Sequence, residues 1–146
     1  MDKRSLFDIT KEHLKKYPFY KATVKRKQEQ NEEIDAKLQG ISATNYDKER
    51  VSGTPMTDLT TSLLAEKMKN EEIIRRTSNI CKDIDEALTK LPEVEQTIIR
   101  RYYLEGPLYK DKRTWVAIAF EVNFCERHCK RLRNEAVEKI SNIFGE

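Results

Sequence analysis

The stretch from Trp115 to Leu132, W-V-A-I-A-F-E-V-N-F-C-E-R-H-C-K-R-L, constrains this chain more than any other. Ala119 is small and follows the larger Ile118, the pair needed where two helices cross closely. Four positions on, Asn123 tolerates a positive φ, so the chain can turn sharply there after Val122, and the apolar Phe124 is expected to re-enter the core. Beyond the turn, Cys129, Leu132, Ala136 and Ile140 follow the three-to-four spacing of a helix with one inward face. The spacing predicts a helix-turn-helix.

The opposite face of that second helix carries Arg127, Lys130, Arg131 and Asn134, with His128 and Arg133 on its flanks. Four Lys or Arg fall within seven residues and no acid lies among them. Such side chains suit phosphates and the guanine or adenine edges of a major groove, so double-stranded DNA is the expected partner. The second helix, roughly Cys125 to Ile143, is placed in the groove with its N-terminal half nearest the bases. Arg127, His128 and Arg131 are assigned to base edges, and Lys130, Arg133, Lys112 and Arg113 to phosphates. The plain alternative is an amphipathic helix in a structural hairpin whose charged face is merely solvated.

Composition agrees with helix throughout. Of 146 residues only four are Gly and four Pro, while 36% are charged, which points to an all-α protein. The net charge of +3 is modest, and residues 91–146 hold ten Lys or Arg against nine Asp or Glu, so the case for nucleic acid is local rather than global. No apolar run approaches the roughly 20 residues of a membrane span, and Met-Asp-Lys-Arg-Ser lacks the apolar core of a signal peptide. A cytoplasmic location is expected. Three cysteines, Cys81, Cys125 and Cys129, form no disulfide framework. Cys125, His128 and Cys129 lack a second Cys or His pair to complete a metal site, His13 being the other histidine, so no metal and no cofactor are expected. Without a glycine-rich phosphate loop or an assembled nucleophile and base, an enzyme is not expected.

The spacing predicts a short amphipathic helix over 3–16 (Leu6, Ile9, His13, Leu14) broken by Pro18. A second helix over about 19–38 places Val24, Asn31, Ile34 and Leu38 on a coiled-coil-like seam, with Asn31 fixing register. Residues 40–57 read as a long loop, with Thr57 as an N-cap. A long helix from Asp58 to about Lys90 carries a stripe of Leu59, Leu63, Met68, Ile73, Ile80, Ile84, Ala87, Leu88 and Leu91 that packs back on the second helix as an antiparallel hairpin. Such a hairpin buries little alone, so a homo-oligomer is expected. Pro92 and Glu93 open a new helix ending near Gly106, with Ile98, Ile99, Tyr102, Tyr103 and Leu104 as its bulky face. Pro107 to Arg113 is a connector, Thr114 a cap, and Trp115 a core residue beside Tyr102 and Tyr103. Residues 1–90 form an expected oligomerisation region and 91–146 an expected DNA-binding domain.

From Leu91 onward, L-P-x-x-E-x-x-I-I-x-x-Y-Y-x-x-G followed by Trp115 to Ile140 resembles the fourth region of bacterial sigma factors. Upstream, K-Y-P-F-Y-K opening a charged helix and S-G-T-P-M-T-D-L-T before a long one extend the likeness to the ArpU and RinA group of phage late-gene regulators. That resemblance implies a prophage-encoded activator that binds upstream of a late operon, oligomerises on DNA and promotes host RNA polymerase there. Cys125 departs from the usual Ser or Thr cap, and Arg127 and His128 from the usual Gly and Thr. The resemblance therefore carries the placement of the helix and not a base preference. Three other functions fit parts of the chain. A free-standing sigma-like subunit would need a second, promoter-melting region that is lacking here. A phage terminase small subunit also joins a helical DNA-binding domain to an oligomerising pair, and a coiled-coil interaction protein would bind no DNA.

Overall fold

A computed structural model describes residues 3–47, 54–105 and 112–145, and the regular elements among them are all helical. In chain order they are α1 (Lys3–Asp47), α2 (Thr54–Thr89), α3 (Glu93–Ile99), a π-helical segment (Arg100–Leu104), α4 (Lys112–Val122) and α5 (Glu126–Phe144). The expected all-α class holds. Among the described residues no helix is long and apolar enough to cross a membrane.

Two differences at the N-terminal side have simple causes. The break expected at Pro18 is absent, because α1 runs through it. Proline within a helix costs about 3 kcal/mol. Here Leu14, one turn before, is fully buried, and the Tyr17 hydroxyl donates to Asp85 Oδ1 at 2.8 Å. Burying one such Leu returns about 1.5 to 3 kcal/mol, so packing carries the helix across. The loop expected over 40–57 is also shorter: α1 continues through Gly40 to Asp47, and α2 begins at Thr54 rather than after Thr57. One glycine costs a helix only about 1 kcal/mol, while Pro55 falls in the first turn of α2, where a missing N–H goes unmissed. Positions 48–53 lie outside the described residues.

By their contacts the residues form two compact units, Met1–Tyr20 with Ile80–Glu146, and Lys21–Asn79. The second is an antiparallel helix pair. Asn70 Nδ2 donates to Asn31 Oδ1 at 2.9 Å, and Lys67 Nζ meets Asp35 Oδ1 at 2.7 Å, so partners descend along α2 as they ascend along α1. Ile34 and Leu63 are buried between the two helices, and Asn31 and Asn70 form a buried polar pair among them. The register role given to Asn31 thus has a partner in Asn70. Met68, expected on the inward stripe, is instead 69% exposed, and Leu59 is half-exposed. Met68 falls off the row of Leu63, Asn70 and Cys81 that α2 turns inward.

The first unit draws on both ends of the chain. Its larger core joins Leu14 of α1, Ile84, Ala87 and Leu88 of α2, Leu91, then Ile99, Tyr103 and Leu104, and finally Ala136, Val137 and Ile140 of α5. The boundary expected at residue 90 therefore does not divide the packing, since the first turns of α1 and the last of α2 complete the core under α5. Gly145 approaches Leu6 so closely that an added Cβ would stand 2.8 Å from Leu6 Cδ2. A smaller core joins Ile98, Trp115, Ile118 and Cys129.

The π-helical segment follows from the spacing of bulky residues. Ile98 and Ile99 are buried, and the next buried pair, Tyr103 and Leu104, comes five residues later. An α-helix aligns residues three or four apart. A turn with i to i+5 bonds aligns residues five apart, so both pairs reach the core. The Glu105 N–H donates to the Arg100 carbonyl at 2.7 Å and closes this wider turn. Gly106, the expected end of this helix, lies outside the described residues.

Candidate nucleic-acid interface

The turn between α4 and α5 is built as its sequence requires. Asn123 has φ 62°, and the Phe124 N–H donates to the Ala119 carbonyl at 3.3 Å. Together these form a Schellman-type helix end, in which an αL residue lets the last carbonyls be satisfied. Phe124 does not re-enter the core as expected. It is 41% exposed, its ring lying edge-on to the His128 ring with centroids 4.7 Å apart. The chain reverses at Asn123 before Phe124 can reach inward, and Cys129 fills the core one turn later.

Cys125 stands at the N-cap of α5 in an extended conformation, and its thiol makes no capping bond. A thiol is a poor substitute for the Ser, Thr or Asp that usually bonds the free N–H groups of a first turn. From there α5 presents Cys129, Ala136, Val137 and Ile140 inward, all fully buried. Burial also pushes the Cys129 thiol up from its ordinary range. Arg127, Lys130, Arg131 and Asn134 are exposed, while His128 and Arg133 are half-buried. Exposed Glu135 and Glu138 follow on the outward side. The exposed cations of α5 thus cluster between Glu126 in its first turn and Glu135, and the later Lys139 is paired with Glu95.

Within that cationic surface the side chains are ordered. Arg131 Nη2 lies 2.6 Å from His128 Nδ1. A guanidinium has donors only, so Nδ1 accepts and the imidazole proton sits on Nε2, pointing away as a donor. Arg131 Nε also stands 4.0 Å from Glu135. Arg127 has no hydrogen-bond or ion-pair partner among the described residues. Arg113 is exposed in the first turn of α4. Thr114 lies inside α4 rather than capping it, because that helix already begins at Lys112. The Lys112 side chain and the connector 106–111 lie outside the described residues.

Arg133 behaves differently from its neighbours. Its guanidinium lies 5.2 Å from the centre of the Tyr102 ring and 5.1 Å from that of Trp115. Those two rings stack at 4.6 Å with an interplanar angle of 26°. Lys130 Nζ approaches the same Trp115 ring at 5.8 Å. These separations are those of cation–π contacts. Trp115 is buried, as expected of a core residue. Burial pushes the Tyr103 phenol up to about 12, against the opposing charge of Arg133. Sequence reasoning placed Arg133 on a flank. Its spacing of four from both Cys129 and Val137 marks the inward side, and that spacing was readable from the start.

Three ion pairs lie around this frame. Lys139 Nζ of α5 lies 2.9 Å from both carboxylate oxygens of the buried Glu95 on α3. Arg101 of the π-helical segment donates through Nε to Glu121 of α4 at 3.0 Å and also bonds Glu105. The outer side of α4 carries Phe120, 86% exposed, with Val116 beside it; neither stood out in the sequence. No family model matches the chain, and no curated protein or solved structure matches it.

Proposed function

We propose that the chain is a sequence-specific DNA-binding regulator that lays the N-terminal half of α5 in a major groove. The observation that carries this is the division of α5: Arg127, Lys130, Arg131 and Asn134 are exposed in its N-terminal half, Glu135 and Glu138 follow, and Cys129, Ala136, Val137 and Ile140 are buried on the opposite side. A helix entering DNA by its N-terminal end needs this asymmetry, because phosphates crowd both sides of its first turns. Arg131 and the Nε2–H of His128 supply donors suited to guanine N7 and O6 or thymine O4. Arg127 joins them as a base-edge candidate, and Lys130, with Lys112 and Arg113 at the start of α4, supplies phosphate contacts that add affinity without sequence information.

The turn between α4 and α5 acts in this function as a helix-turn-helix resembling sigma region 4. With the resemblance to the ArpU and RinA group, the regulator is an activator of phage late genes that works beside host RNA polymerase. The helix pair of Lys21–Asn79 serves self-association, a role favoured by the exposed Leu64 and Met68 on its surface.

The test is fluorescence anisotropy of the full chain on the duplex upstream of the late operon in its own genome, against shuffled DNA, over a salt series. Tight binding confined to the genomic duplex is expected, and Arg131→Ala should cost about 1 to 3 kcal/mol there while leaving shuffled DNA little changed. Equal, steeply salt-sensitive binding to both duplexes would instead favour a packaging protein of the terminase small-subunit kind. No binding would leave a coiled-coil interaction protein.

A further inference from the structure

Arg133 is half-buried and meets two aromatic rings, whereas the exposed Lys130 reaches only the Trp115 ring, at 5.8 Å. Cys129 and Val137, one turn to either side, are both fully exposed to the core and not to solvent. The Arg133 guanidinium lies within 5.2 Å of the centres of both stacked rings. To reach a phosphate it would have to give up its contacts with both rings. It also has a second task where it stands. Arg133 Nε donates to Asn134 Oδ1 at 3.2 Å, and Asn134 lies on the exposed side. An Asn amide alone can present either its oxygen or its nitrogen. With Oδ1 held by Arg133, the amide turns its NH2 donor outward.

We propose that Arg133 is a positioning residue for DNA recognition: anchored on Trp115 and Tyr102, it sets the rotation of α5 and the orientation of the Asn134 amide, and it touches no phosphate. The assignment rests on the DNA-binding function proposed above. It divides six polar residues of α5 into three roles: Lys130 on the backbone of the duplex, Arg127, His128, Arg131 and Asn134 on base edges, and Arg133 behind them. A base acceptor such as adenine N7 then lies opposite Asn134.

Salt dependence separates a positioning cation from a phosphate-binding one, because each phosphate contact contributes about 0.9 to the slope of log affinity against log salt. The experiment compares the full-length parent with Arg133→Gln, Arg133→Lys and Lys130→Gln on a short random-sequence duplex, with Trp115 emission and far-ultraviolet dichroism of the free chains recorded beside it. Arg133→Gln is expected to weaken binding roughly three- to tenfold at an unchanged slope and helicity, and to shift Trp115 emission. Arg133→Lys, which keeps a cation over the rings, should recover most of the affinity. Lys130→Gln should lower the slope by about 0.9. A slope that falls by about that amount in Arg133→Gln would overturn the assignment, and so would unchanged affinity and emission. Failure of the parent chain to bind any duplex would bring down the proposed function and this role together. Binding by the parent with the slope lost in Arg133→Gln would bring down this role alone.

Discussion

Leu14 lies far from α5 in sequence, yet it is fully buried in the same core as Val137 and Ile140. Leu14→Ala removes three buried carbons from a site lined by helices on several sides. The lost transfer energy and the residual cavity together cost about 2 to 5 kcal/mol at such positions, and complete burial in a many-sided site favours about 3. The assay is urea unfolding followed by Trp115 emission. Trp115 is the single tryptophan of the chain and sits in the first unit, so it reports that unit alone. Leu14→Ala should lower its unfolding free energy by about 3 kcal/mol, whereas Met68→Ala, at an exposed site of the other unit, should stay within about 0.5. A loss below about 1 kcal/mol for Leu14→Ala would refute the claim that the start of α1 completes the core beneath α5.

Three further outcomes are expected. Cys125→Ser supplies the missing cap on α5 and should stabilise the first unit by about 0.5 to 1 kcal/mol in thermal unfolding; no gain would mean that the first-turn N–H groups are already satisfied. Asn70→Leu leaves Asn31 buried without its partner and should cost about 1 to 3 kcal/mol, measured as lost helicity on heating, while the double Leu variant should recover much of it. Arg75 and Arg76 bond the Glu72 carboxylate and hold it down to about 2 from 4.5. A carboxylate with a lowered folded value stabilises above the unfolded one, so helix content should fall as pH drops from about 4.5 towards 2. Glu72→Gln should flatten that limb of an acid titration followed by circular dichroism, and an unchanged titration would remove the role of the pair.

What the sequence revealed depended on how local the cause was. The positive φ of Asn123, the inward row of α5 and the helix start at Pro92 arise from one or two residues and their immediate spacing, and each stands as expected. Pro18 misled because its cost is local while the compensating burial of Leu14 and Tyr17 comes from helices distant in sequence. Met68 misled because one apolar residue at a near-miss spacing looks like part of a stripe. Phe124 depended on the angle at which the chain leaves an αL residue, which no periodicity encodes. Arg133 is the instructive case on α5. Its charge suggested solvent, and its spacing from Cys129 and Val137 pointed the other way. The aromatic pair that decides between them lies on α4 and the π-helical segment, with Tyr102 carried to Trp115 by a widened turn.

The division of the first unit between both ends of the chain bears on when it can form. During synthesis, Met1–Tyr20 emerges first and must wait until Ile80–Glu146 has been made before its apolar side is covered. The intervening Lys21–Asn79 can pair as soon as α2 emerges, and as an antiparallel hairpin it returns the chain close to its own starting point. That replaces a long, entropically costly closure with a short one. A chain that stops before Val137 and Ile140 lacks the α5 part of the core around Leu14. Premature termination therefore leaves a species with exposed apolar surface open to proteolysis.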